Sequence, residues 1–270
     1  MAHQKILLMQ TIDIYQVDAF ATGLFKGNPA AVCVLCEWLP VSVMQKIAME
    51  NNLSETAFIV REGNEWSIRW FTPETEVDLC GHATLASAYV VLTILHPEKG
   101  MVVFHSQKMG DLIVKKRADM LELDFPSDTL KTCLLPEAVA TGLGKAPLDC
   151  FIGRSDYLLL YESEADILNL KPDFSELANT GERGIIATAP GTDVDFVSRF
   201  FAPQVGINED PVTGSAHTTL TPFWSERLGK KSMKARQLSA RGGYLECTLQ
   251  GERTLISGQA FLFLKGNILI

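Results

Sequence analysis

Glu76-Val77-Asp78-Leu79-Cys80-Gly81-His82-Ala83-Thr84-Leu85-Ala86-Ser87-Ala88-Tyr89 sets acids and a thiol before a Gly-His step and follows them with an unbroken helix-forming run. A loop aimed at a helix N-terminus reads this way. The first backbone N–H groups of a helix have no intrahelical partner, and with the helix dipole behind them they attract an anion. Further on, Glu209-Asp210-Pro211-Val212-Thr213-Gly214-Ser215 leads into a second helical run that reaches Leu228 and stops at Gly229. Each passage follows a similar strand ending, Arg69-Trp70-Phe71-Thr72-Pro73 in the first and Arg199-Phe200-Phe201-Ala202-Pro203 in the second. Gly81-His82-Ala83 thus pairs with Gly214-Ser215-Ala216, the second loop being three residues longer.

A repeat at half the chain length is far too long for a solenoid. It predicts two similar domains, 1–125 and 126–270, related by a pseudo-two-fold axis, with the last strand free to pack back on the first domain. Two such domains facing each other bring two glycine-led helix N-termini to one cleft, where a small carboxylate would be held from both sides.

The remaining pattern is rich in strands. Alternation or apolar runs predict strands at Ile12 to Val17, Ala30 to Leu35, Ser54 to Val60 and Trp66 to Phe71, the last two forming a hairpin over Glu62-Gly63-Asn64. Strands also follow at Met101 to His105, Leu112 to Lys116, Met120 to Asp124, Cys150 to Gly153, Tyr157 to Tyr161, Gly184 to Ala189 and Asp195 to Phe201. The tail reads as strands at Gln237 to Arg241, Tyr244 to Leu249 and Leu255 to Leu264. Helices are expected after Pro40, ending at Asn51-Asn52; from Ala83 to Leu95, stopped by His96-Pro97; over Pro136 to Leu143; over Phe174 to Thr180; and up to Leu228. Helices interspersed singly among hairpins predict an α+β fold rather than a βαβ array.

The 270 residues, 47% of them hydrophobic, carry a net charge of −8 and no long basic run. Nucleic acid and anionic membranes are therefore not the expected partners. No apolar stretch is long enough to span a bilayer, and Met1 to Thr11 is too short and poorly flanked for a secretory signal, so a cytoplasmic protein is expected. Six cysteines in such a chain read as free thiols. Cys33 and Cys36 have CxxC spacing but lie in or beside an apolar strand, with no second pair to complete a metal site.

Candidate chemistry gathers around the two loops. Asp210 precedes the second helix, Asp18 ends the first strand, Glu55 starts another, and Cys80 and His82 flank the first glycine. A carboxyl in a dry cleft has a raised pKa and can exchange protons near neutrality, and histidine titrates in the same range. Arg69 and Arg199 could be structural partners or could hold an acid. Trp66, Trp70, Phe200 and Phe201 read as core that could also wall a cleft, and His217 as a residue packed within its helix.

Five segments in chain order resemble the PhzF-like family, the phenazine-biosynthesis isomerases and their relatives. They are Asp18-Ala19-Phe20, Gly27-Asn28-Pro29-Ala30-Ala31-Val32, Asn52-Leu53-Ser54-Glu55-Thr56-Ala57-Phe58, Asp78-Leu79-Cys80-Gly81-His82-Ala83-Thr84 and Glu209-Asp210-Pro211-Val212-Thr213-Gly214-Ser215-Ala216. The resemblance implies the two-domain fold of diaminopimelate epimerase, each domain a barrel-like mixed sheet around a central helix. It also implies a cofactor-independent isomerase, without metal, in which a glutamate matching Glu55 moves a proton between carbons, assisted by His82, Asp210 and Ser215. Substrate contacts are then expected from Asp18, Cys80, Gly81, Gly214 and Ser215, and a homodimer is an implied assembly. Diaminopimelate epimerase uses a thiol before each helix; here Cys80 stands in the first place but Thr213 in the second. Two alternatives stay open at this level: a two-base epimerase using Cys80, and a non-catalytic binding protein on the same fold.

Overall fold

The structure, a computed structural model, describes residues 11–270; the reading of the first ten residues lies outside them. In chain order the first half contains β1 (Thr11–Ala19), β2 (Asn28–Leu35), α1 (Val41–Asn51), β3 (Glu55–Glu62), β4 (Glu65–Phe71), β5 (Glu76–Val77), α2 (Gly81–Tyr89), a wide π turn (Val90–Leu95), β6 (Met101–Ser106), β7 (Gly110–Arg117) and β8 (Met120–Pro126). The second contains β9 (Lys131–Thr132), α3 (Glu137–Leu143), β10 (Asp149–Ile152), β11 (Asp156–Leu160), α4 (Glu164–Asn169), α5 (Phe174–Leu177), β12 (Gly184–Pro190), β13 (Phe196–Phe201), a 3-10 turn (Pro203–Val205), α6 (Gly214–Leu228), β14 (Ser232–Gln237), β15 (Gly243–Gln250), β16 (Arg253–Gly258) and β17 (Ala260–Leu269). Among the described residues, no helix is long and apolar enough to cross a membrane.

All these strands join one continuous mixed sheet. Most neighbours are antiparallel, but β2–β3, β4–β6, β11–β12 and β13–β14 are parallel. Two pairings tie the ends of the chain together: β17 runs antiparallel to β1, from Thr11↔Leu269 to Ala19↔Ala260, and β16 runs antiparallel to β8.

α2 and α6 are the buried helices. From His82 to Ala88 every residue of α2 is buried, so there is no polar face, and the residues are small enough for strands to close on all sides. Its buried hydroxyls are satisfied locally: Thr84 Oγ1 donates to Cys80 O at 2.6 Å and Ser87 Oγ to Ala83 O at 2.8 Å. In α6, Thr221 Oγ1 donates to His217 O at 2.6 Å, and Trp224 Nε1 reaches Thr188 Oγ1 at 3.0 Å. Pro222 lies inside α6 and cannot donate to Thr218 O. That carbonyl instead accepts the Asp128 N–H at 3.1 Å, which ties the link after β8 to the helix.

Several elements differ from their sequence expectations. The strand expected over Gln237 to Arg241 lies at β14, five residues earlier. Met233, Ala235 and Gln237 point inward there, whereas residues 238–242 form the loop that meets the Asp18 region. The single run expected from Leu255 to Leu264 is two strands, because the chain breaks at Gln259, leaving β16 on β8 and β17 on β1. The helix expected to reach Leu95 widens after Tyr89, where His96 N bonds Val91 O at 2.7 Å, five residues back. α4 has no counterpart in the sequence reading. Its start is a capping box closed by Asp166 rather than the usual Glu or Gln, with Ser163 as the cap.

Candidate active site

The N-termini of α2 and α6 meet. A Cβ built on Gly81 would lie 3.6 Å from Gly214 Cα, and one on Gly214 would lie 3.6 Å from Gly81 Cα. No side chain caps either end, Cys80 and Thr213 both being extended and unbonded to the helix N–H groups as caps. Free donors from two helices therefore converge on one place. They open into a cavity of about 280 Å³, lined by residues of both halves that include Glu55, Cys80, His82, Asp210, Thr213 and Ser215.

The two entry loops are braced in the same way. Arg69 binds Glu76 with two bonds of 2.7 Å, and Arg199 binds Glu209 at 2.7 and 2.9 Å. Each guanidinium also lies over the Phe two residues on, Phe71 at 5.4 Å and Phe201 at 4.9 Å. Both arginines are thus structural, and neither they nor the acids they bind line the cavity. Trp66, Trp70, Phe200 and Phe201 are core, and of these Phe200 also lines the cavity.

Glu55 stands at the first position of β3, buried, with Oε2 3.0 Å from His82 Nε2. The contact is close but poorly aligned with the ring, so this buried oxygen has no proper hydrogen bond and keeps a lone pair for another proton. Burial alone would lower the His82 pKa, but Cys80 and Glu55 beside it raise it above the ordinary value. Cys80 Sγ lies 3.4 Å from His82 Nδ1. Burial, reinforced by the Glu55 charge, pushes the Cys80 thiol up to about 11. At pH 7 only about one in 10⁴ such thiols is ionised.

Asn28 links the two sides. Its Nδ2 donates to Asp210 Oδ1 at 2.8 Å and to Val212 O at 3.0 Å, and sits 3.2 Å from His82 Nδ1. Thr213 Oγ1 donates to the other Asp210 oxygen. Burial raises the Asp210 carboxyl to about 6; His82 pulls it down, Glu55 pushes it up, and the two donors lower it. Gln237 fixes the loop from beneath, accepting from Thr213 N at 2.8 Å and donating to Asp210 O at 2.7 Å.

The cavity therefore brings together Glu55, Cys80, Gly81, His82, Asp210, Gly214 and Ser215 from the expected set. Asp18 lies elsewhere. It accepts Phe25 N at 2.9 Å and Arg241 Nη2 at 2.8 Å, pinning the loop before Asn28 to the loop before β15. Asn28, Arg154, Asp156 and Arg183 were not singled out by sequence. Asn28 sits in a quoted segment, and its place between Gly and Pro was the available signal; the others carry no local pattern. His217 is packed in α6, its Nδ1 2.8 Å from Thr213 O, and burial lowers its pKa to about 4.

Glu55, Cys80 and His82 offer oxygen, sulfur and nitrogen atoms within 4.8 Å of one another. That is a donor set of the kind zinc takes. His82 Nε2 lies 3.0 Å from Glu55 Oε2 and 3.9 Å from Cys80 Sγ, and Nδ1 lies 3.4 Å from that sulfur.

The α+β fold is shared with epimerases. A hydroxyproline epimerase from Agrobacterium vitis superposes with a TM-score of 0.63 over 96% of this chain and 93% of its own, at only 10% identity. More closely, a PhzF-family protein from Enterococcus faecalis superposes with a TM-score of 0.93 at 46% identity, covering 97% of this chain and all of its own. The uncharacterized isomerase PA2770 of Pseudomonas aeruginosa is 48% identical over 257 residues, 95% of this chain and 98% of its own. The model of the phenazine biosynthesis-like protein family, PhzC-PhzF, matches residues 17–266. The chain belongs to the phenazine biosynthesis-like family and is an isomerase of that kind.

Proposed function

We propose that this isomerase moves a proton between two carbons of a small carboxylate, with Glu55 as the single acid and base and no cofactor in the step. The observation that carries the reading is the place of Glu55: a buried carboxylate oxygen without a hydrogen bond, 3.0 Å from the His82 imidazole, at a cavity headed by two uncapped helix N-termini. The two halves are read as pseudo-symmetric domains. Supporting this are the paired Arg–Glu braces and the contact of Gly81 with Gly214.

In this mechanism the substrate carboxylate accepts from the backbone N–H groups of Gly81 and His82 on one side and Gly214 and Ser215 on the other. Glu55 Oε2 takes a proton from an adjacent carbon. The electron pair left behind delocalises toward the held carboxylate, where the N–H groups and helix dipoles stabilise the growing negative charge. Glu55 then returns the proton to a second carbon on the same face, and the double bond shifts accordingly. His82, 3.0 Å from Glu55, positions it or polarises the substrate, and Asp210, held by Asn28 and Thr213, carries a carboxyl that burial raises to about 6.

The two-base alternative needs Cys80 as a thiolate and a second base opposite. The thiol is held near 11, and the opposite residue, Thr213, spends its hydroxyl on Asp210. The test of the Glu55 assignment is exchange of solvent deuterium into candidate carboxylates, followed by mass spectrometry. Wild type is expected to incorporate label, and Glu55→Gln to lose at least about 10³-fold in rate. Unchanged exchange in the variant would remove Glu55 from the mechanism.

A further inference from the structure

Beyond the helix N-termini, the same cavity is lined by two arginines, Arg154 and Arg183, which the proton-transfer mechanism leaves unused. Arg183 precedes β12, and its Nε and Nη2 both bind the Asp156 carboxylate, Nε at 2.9 Å. Nη2 also donates to Ser215 Oγ at 3.0 Å, and the guanidinium lies 5.5 Å from the Phe200 ring centroid. Three partners thus fix its orientation, and among the described residues Nη1 has no acceptor. Asp156 and Arg183 cancel in charge and Asp128 offsets Arg154, so what this wall offers an anion is directed N–H donors rather than net charge.

Arg154 lies one residue from Ser155, whose carbonyl accepts the Arg183 N–H at 3.0 Å, so the two arginines sit on adjacent strand ends at the cavity. The loop carrying Arg154 is held rigidly. Gly153 N bonds Asp156 O at 2.9 Å, and Arg154 N bonds Asp128 Oδ2 at 3.0 Å. Asp128 is itself satisfied by this N–H, by Thr129 N at 2.8 Å and by Thr219 Oγ1 at 3.2 Å. Among the described residues, the Arg154 guanidinium has no hydrogen-bond or ion-pair partner, although most other arginines of the chain have one. A guanidinium left over beside a fixed second one is suited to a planar anion, which it can bind with two parallel bonds.

We propose that the substrate carries a second anionic group, held by Arg154 together with Nη1 of Arg183, while its first carboxylate sits at the two helix N-termini. The substrate class is then small dianionic carboxylates rather than monocarboxylates. The cavity, about 280 Å³, has room for such a molecule. This inference rests on the reading that Gly81 and Gly214 head a carboxylate site, and it adds a second anionic group to the ligand.

The experiment is a set of calorimetric titrations of the wild-type chain with butyrate and hexanoate, with succinate, glutarate and adipate, and with 3-phosphonopropionate. At least one dianion is expected to bind tenfold or more tighter than the monocarboxylates. The phosphonate arm separates a second carboxylate from a phosphoryl group. Arg154→Gln, a substitution at an exposed side chain, is expected to abolish that preference and leave monocarboxylate affinity within about twofold. Arg61→Gln, at the far end of β3, is expected to change neither. Monocarboxylates binding as tightly as dianions, or a preference that survives Arg154→Gln, would overturn the proposal and leave the helix site standing. Absence of binding by every carboxylate at millimolar concentration would overturn both.

Discussion

Asp210 and Cys80 show what burial does to groups that must exchange protons. With its carboxyl raised to about 6 from an ordinary 3.8, Asp210 stabilises the fold fully only below the lower value, and that contribution is lost as pH rises through 6. Above that, the folded chain keeps a buried charge at a cost of about 3 kcal/mol. Asp210→Asn keeps an acceptor for Asn28 and a partner for Thr213 while removing the charge. It is expected to raise unfolding free energy by about 2 kcal/mol at pH 8, with the gain shrinking toward pH 4. Urea unfolding at the two pH values measures this, and a pH-independent difference would contradict it. His217, lowered to about 4, loses stability in the opposite sense as pH falls from 6.5, but it is present in both chains and cancels. For Cys80, with a thiol near 11, Cys80→Ser should leave isotope exchange within about fivefold of wild type. A loss of 10³-fold would instead make the thiol a base.

At the level of elements, the contact between the helix N-termini is the feature most open to test. Each glycine faces the other's Cα at 3.6 Å once given a Cβ, an ordinary van der Waals distance. Gly81→Ala and Gly214→Ala are therefore expected to cost less than about 1 kcal/mol each in stability. Together the two methyl groups would point at one another. The double variant should lose at least about 1 kcal/mol more than the sum of the singles, measured by a double-mutant cycle in urea. Additive losses would mean that the helix ends are not in contact. These elements were largely visible in sequence. Gly229 ends α6 with a φ of +66°, and Asn52 ends α1 with a φ of +50°, both where the residue type announced a stop. β14 was misplaced because Leu238 to Gly242 looks as strand-like as Ser232 to Gln237. Only the β13 and β15 partners decide between them.

Across the whole molecule, the chain ends lock the halves together. β1 lies between β2 and β17, and β8 is paired with β16 on one side and β7 on the other. Deleting residues 259–270 would leave β1 with an open edge and uncover apolar side chains such as Leu262 that pack on the core. The truncated chain is expected to lose its near-ultraviolet dichroism and bind a hydrophobic dye, because it loses the β1 ladder and apolar cover from a fold of the usual marginal stability. A cooperative, native-like unfolding transition in the truncated chain would show that β17 is dispensable.

The sequence by itself determined the local features: the glycine-led helix starts, the Arg-x-Phe strand endings that repeat, the helix stops and the family. These depend on residue type and short spacing, which act within a few residues. Only the tertiary structure decided that Asn28 beside His82 donates to Asp210, that Asp18 braces a loop, and that Arg154 and Arg183 share a cavity with Glu55. Those contacts join residues up to 223 positions apart. No local pattern encodes them; they follow from how the sheet closes around α2 and α6 and brings distant strand ends to the same place.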